Sequence, residues 1–101
     1  MSWEVIVEPE AEQEFKEAVA WYDEKKAGVG QKLSQDIRKI IRRATQNPQR
    51  FRLVSRLTRK AQVPRWSYSV YFTLQEETRK LIVVAIFHAS RDPGELQRRL
   101  R

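Results

Sequence analysis

Residues 81–87, LIVVAIF, form an unbroken apolar run that ends at His88, the only histidine in the 101-residue chain. A continuous apolar run this short reads as a strand buried on both faces. Its end delivers His88, and then Arg91, Asp92 and Pro93, to the rim of a sheet. Rims carried by rigid elements are where binding and chemistry concentrate.

The rest of the chain can be placed around that strand. Trp3, Val5 and Val7 alternate with Glu4 and Glu8 and predict a short first strand, at an edge or half-buried. Pro9 suits the first position of a helix, with Glu10, Glu12 and Glu14 near its positive end. Ala11, Phe15, Ala18 and Tyr22 make its apolar stripe. Gly28 and Gly30 interrupt the pattern, and a second helix follows with Leu33, Ile37, Ile40, Ile41 and Ala44 inward. Asn47-Pro48 stops it, because proline cannot continue a helix and restricts the residue before it. The short link predicts an antiparallel helical hairpin. Leu53, Val54 and Leu57 suggest a weakly patterned strand. Trp66, Tyr68, Val70, Phe72 and Leu74 alternate strictly and predict a clear one, joined to the apolar strand by a turn over 75–79. Asp92, Pro93 and Glu95 fit a capping-box-like start to a last helix, whose one apolar pair is Leu96 and Leu100. The order β-α-α-β-β-β-α predicts an α+β fold: an N-terminal strand, an antiparallel helical hairpin packed on a small antiparallel sheet, and a short C-terminal helix, in one domain spanning 1–101.

Charge narrows the partners. Residues 1–27 carry eight acids and three bases, whereas residues 28–101 carry seventeen bases and five acids, giving +7 for the chain. Such a basic segment suits ordinary solubility, a nucleic acid or nucleoprotein, or a strongly acidic protein. The absence of cysteine excludes a disulfide framework and thiolate metal sites and fits a reducing cytosol. A single histidine argues against a zinc site, and no metal or cofactor is expected. No apolar run approaches the ~20 residues of a membrane span. The N-terminus is acidic within four residues and lacks a secretory pattern, so the expected location is cytoplasmic, without membrane contact.

The candidate functional residues fall into three groups. Lys32, Arg38, Lys39, Arg42 and Arg43 share the outer face of the second helix; they are either a solvated face partly paired with Asp36 or contacts for phosphates or acidic side chains. Arg50, Arg52, Arg56, Arg59, Lys60 and Arg65 put six cations in sixteen residues, more than solubility requires, and arginine pairs bidentately with phosphate and carboxylate. Trp66, Tyr68 and Phe72 suit a core better than a base-stacking platform. His88 either completes a structural hydrogen bond or acts as general acid or base in RNA cleavage, with Arg91 and Arg65 on the phosphate. The second proton carrier is open among Lys60, Tyr71 and Asp92. Ser90, His88 and Asp92 are too close in sequence to form a triad.

The ordered set EPEAEQEFKEAVAWYDEKKAGVGQKL, NPQRF, VPRWSYSVYFTLQ and LIVVAIFHASRDP resembles the RelE/ParE superfamily of toxins from bacterial type II toxin–antitoxin, or plasmid-stabilisation, systems. The resemblance spans nearly the whole chain. It implies growth inhibition, and neutralisation by a cognate antitoxin with an acidic, amphipathic segment. RelE-like members cut mRNA on the ribosome without a metal, often with a tyrosine near the C-terminus; ParE-like members poison DNA gyrase. This chain has no tyrosine after Tyr71, and its AWYDE…GVG hairpin is more ParE-like. The expectation is a ParE-like gyrase poison. The alternatives are a ribosome-dependent endoribonuclease with His88, Arg91 and Arg65 in its site, and a stand-alone nucleic-acid-binding domain. Arg38, Arg42, Arg56, Arg59, Lys60 and Arg65 are the expected contacts for target or antitoxin.

Overall fold

The structure, a computed structural model, describes residues 3–100; the outermost residues of the expected 1–101 domain lie outside it. The chain runs β1 (Glu4–Val7), α1 (Pro9–Lys25), α2 (Val29–Gln46), a single 3-10 turn at Pro48–Arg50, β2 (Arg59–Gln62), β3 (Tyr68–Gln75), β4 (Lys80–His88) and α3 (Pro93–Arg99). This is the α+β order expected from the sequence.

The hairpin forms for the reasons its sequence contains. Pro9 opens α1, and Asn47-Pro48 closes α2. Gly28 turns the chain at φ 93°, a conformation that costs glycine little. Gly30 lets the two helices meet: a Cβ there would overlap the Val19 carbonyl oxygen. The Gly30 N–H also donates to Asp23 Oδ1 at 2.7 Å across the hairpin. Ala11, Ala18, Leu33, Ile37, Ile40 and Ala44 point into the core with Val70, Phe72, Leu81, Val83 and Ile86 of the sheet.

The sheet order is β1-β4-β3-β2, so β4 is central, as its apolar run requires. Strands β2, β3 and β4 are antiparallel neighbours. β1 adds to the edge in parallel with β4, from Glu4 opposite Lys80 to Val7 opposite Val83, which makes the sheet mixed rather than wholly antiparallel.

Two details differ from the sequence reading. The weak strand is not centred on Leu53–Leu57. Val54 and Ser55 N–H groups donate to the Thr58 carbonyl in a turn, Leu53 makes only an isolated bridge to Arg59, and the true strand starts at Arg59. Leu53 and Leu57 are consequently 52% and 59% exposed. At α3, Asp92 caps as expected, accepting from Gly94 N–H at 2.9 Å, but the Glu95 carboxylate pairs with Arg91 rather than completing a capping box.

One register shift decides which way the functional strand end faces. Tyr71 pairs with Ala85 but Phe72 pairs with Val83, so Val84 is an extra residue in β4, a β-bulge. Before it, Leu81 and Val83 face the helices. After it, Ile86 faces them, and Phe87 joins Tyr71, Val84 and Ala85 on the opposite face. Without the bulge, strict alternation would have sent His88 to the face away from the helices.

Candidate functional site

At the bulged end of β4 the ladder runs out of partners. β1 stops pairing at Val83, and beyond it the chain has turned into α1. Side chains replace the missing strand. Glu14, on the inward face of α1 and 9% exposed, accepts the Ile86 N–H at 2.9 Å. Arg99 of α3 donates to the Val84 carbonyl at 2.7 Å. The two are themselves paired, with Arg99 Nη1 at 2.6 Å from Glu14 Oε2, and Arg99 Nε lies 3.4 Å from Glu10. Arg91 joins at 2.8 Å from Glu14 and also pairs with Glu95. Both guanidinium groups lie over the Phe87 ring, 3.7 Å away for Arg91 and 5.3 Å for Arg99. Burial alone would weaken the charge of these arginines, but the hydrogen bonds they donate to Glu14, and to Glu95 in the case of Arg91, outweigh it and hold both above the ordinary arginine pKa. Glu14 was legible only in part: it stands three residues after Ala11 and four before Ala18, inside the apolar stripe, yet its partners lie more than seventy residues away.

Beside this network lies a cleft of about 440 Å³ between α1 and the end of the sheet. Trp21, Tyr22, Tyr68, His88, Glu17 and Arg91 line it. The aromatic rings meet edge to face: Trp21 on Tyr22 at 4.8 Å, Tyr22 on Trp66 at 5.1 Å, Tyr68 on His88 at 5.0 Å. His88 Nδ1 accepts the Ser90 N–H at 3.0 Å and lies 2.8 Å from Ser90 Oγ. An accepting Nδ1 puts the proton of the neutral ring on Nε2. Tyr68, not singled out on its own as a proton carrier from the sequence, lines the same cleft against His88; burial first and Tyr22 second raise its pKa, with Arg91 pulling it back.

The other candidates are distributed. Tyr71 and Lys60 are register partners on β3 and β2, with Tyr71 on the face away from the helices, and so do not share the His88 cleft. Burial raises Tyr71, opposed by its Ser69 hydrogen bond and by Arg52. Asp92 is committed to its cap. Arg59 is structural, donating to the Phe51 carbonyl at 2.7 Å. Arg56 is exposed in the 53–58 turn. Arg38 lies 5.6 Å from the Phe15 ring on the outer hairpin, and Arg42 is exposed on the same helix. Arg65, at φ 71°, opens into a second cleft of about 210 Å³ with Lys32, Asp36, Lys39 and Arg43. Asp36 there accepts the Trp66 indole N–H at 2.8 Å. Among the described residues no cluster of histidine, cysteine and carboxylates has the form of a metal site, and no helix is long and apolar enough to cross a membrane.

Comparison with known proteins agrees with the fold. The family model described as ParE toxin of type II toxin–antitoxin system, parDE, matches residues 5–93. No curated protein matches the sequence. Among solved structures, a chromosomal ParDE system from P. aeruginosa superposes with a TM-score of 0.74 at 14% identity, covering 86% of this chain and 96% of that one. The isolated E. coli RelE toxin superposes at 0.67 with 13% identity, covering 96% and 95%. At these identities the superpositions carry the fold, and the family match carries the assignment. The chain belongs to the ParE toxin family of type II toxin–antitoxin systems, and is the toxin half of a pair whose other half is an antitoxin.

Proposed function

We propose that this toxin acts by binding, with DNA gyrase as its target, rather than by cutting RNA. The observation that carries the reading is the dispersal of the groups RNA cleavage would need. His88 faces one cleft, Tyr71 lies on the opposite face of the sheet, and Arg65 opens into a different cleft. Arg91, the one cation beside His88, is held by Glu14 and Glu95. Two carboxylates, Glu14 and Glu17, also line the cleft and disfavour a phosphate there. The experiment is gyrase supercoiling with purified toxin in micromolar excess. Loss of supercoiling is expected. Unchanged supercoiling, together with cleavage of ribosome-bound mRNA that disappears in His88→Ala, overturns the proposal.

A second reading rests on one arrangement: Tyr68, His88 and Arg91 do share a cleft, the minimum an acid–base nuclease would use. The mRNA arm of the same experiment tests it.

For the antitoxin, the exposed Leu53 and Leu57 beside Arg52 and Arg56 offer apolar anchors among cations. That combination suits an acidic, amphipathic segment that orders on binding.

A further inference from the structure

The second cleft has a different chemistry from the loop at Leu53 and Leu57. Lys32, Asp36, Lys39 and Arg43 recur at helical spacing along one stripe of α2, and Arg65 faces them from the turn before β3. Four cations therefore meet one carboxylate. That carboxylate is occupied by the Trp66 indole N–H, a bond that ties the turn to the helix and fixes the width of the cleft. Among the described residues, Lys32, Lys39, Arg43 and Arg65 take part in none of the ion pairs seen around Arg91 and Arg99. Arg65 sits at φ 71°, a backbone conformation unfavourable for a side chain that glycine would adopt freely. The apolar lining is confined to Ile40, which is buried, and Pro64.

A peptide partner draws its affinity from apolar anchors as well as charge, and this cleft offers little beyond the ring of Pro64. A phosphodiester backbone needs none, because counterion release supplies its affinity. We propose that the cleft between α2 and the 64–65 turn binds backbone phosphates of duplex DNA, with Lys32, Lys39, Arg43 and Arg65 as the contacts. The choice of DNA rests on the gyrase reading, since gyrase brings a DNA segment to whatever is bound on it. The cleft would then hold that segment while other surfaces of the toxin hold protein.

The test is fluorescence anisotropy of a labelled DNA duplex with the full-length toxin alone, over a salt series. Four phosphate contacts give a slope of log affinity against log salt near −3.6, a loss of about 150-fold for a fourfold rise in salt. Lys39→Gln/Arg43→Gln should halve that slope, leaving about a 12-fold loss. Lys16→Gln/Lys26→Gln, the same charge change on exposed positions of α1 and the following turn, should leave the slope near its original value. All four positions are exposed, and circular dichroism of both variants is the check on folding. Equal slopes in the two variants, or no binding at low salt, overturn the site. Equal affinity for a poly-glutamate peptide, or tighter binding of duplex RNA, overturns the assignment to DNA. Gyrase is absent from the assay, so its outcome is separable from that of the supercoiling experiment.

Discussion

Replacing Glu14 with glutamine should destabilise the toxin by about 3 kcal/mol, the lower end of the range for removing one partner of a buried pair. The lower end applies because the two arginines differ. Arg99 is 17% exposed and loses its charge partner inside the fold, whereas Arg91 is 39% exposed and is resolvated at little cost. Glutamine retains an oxygen for the Ile86 N–H but turns an amide donor toward guanidinium donors. With about 2.1 cal/mol/K of unfolding entropy per residue, 3 kcal/mol lowers the Tm by about 14 °C. Glu14→Ala should fall further, by about 1–3 kcal/mol, because the Ile86 N–H loses its acceptor as well. Arg99→Met combined with Glu14→Gln should be less destabilising than the two single changes added together, since the uncompensated charge is gone. Thermal melts of the four proteins give the cycle, and amide exchange gives the location: protection should be lost first in α3, which Glu14 holds through Arg99. A Glu14→Gln protein that melts within about 3 °C of the parent would refute the argument that this carboxylate substitutes for the missing strand.

Gly30→Ala should cost about 1–3 kcal/mol in urea unfolding, because the added methyl overlaps the Val19 carbonyl oxygen and meets Asp23 at 2.7 Å, forcing the helices apart; an unchanged midpoint would show that the hairpin yields freely there. Tyr68 and Tyr71 keep their protons in the fold above the pH where an unfolded tyrosine releases its own, near 10.0, so stability should be intact below that pH and fall as pH rises through the folded-state values. Tyr71→Phe should flatten the decline, and a high-pH step should vanish from the 295 nm absorbance titration. Leu53→Ser/Leu57→Ser should leave the Tm nearly unchanged, since both side chains are exposed, while weakening antitoxin binding about tenfold or more by calorimetry; unaltered affinity would move the antitoxin elsewhere.

The sequence by itself determined the elements. Period two in residues 66–74, an unbroken apolar run over 81–87, stripes at helical spacing and the breaks at Gly28 and Pro48 are local signals, and each became the expected strand, helix or stop, except that Trp66 stays in the turn before β3. Its failure at Leu53–Leu57 is of the same origin: the strand there is set by pairing with β3 and by the Arg59 bond to Phe51, not by its own pattern. What only the tertiary structure decided is orientation and partnership. The extra residue at Val84 turns His88 toward the helices and leaves Tyr71 on the other face, dividing residues that the sequence offered as one site. Glu14, one acid among eight in the first 27 residues, becomes the acceptor for a strand N–H and the counter-ion of two arginines. Arg91 thereby changes from a candidate phosphate ligand into a brace. A strand's register and the partner of a buried charge are properties of chain segments distant in sequence, and no local periodicity encodes them.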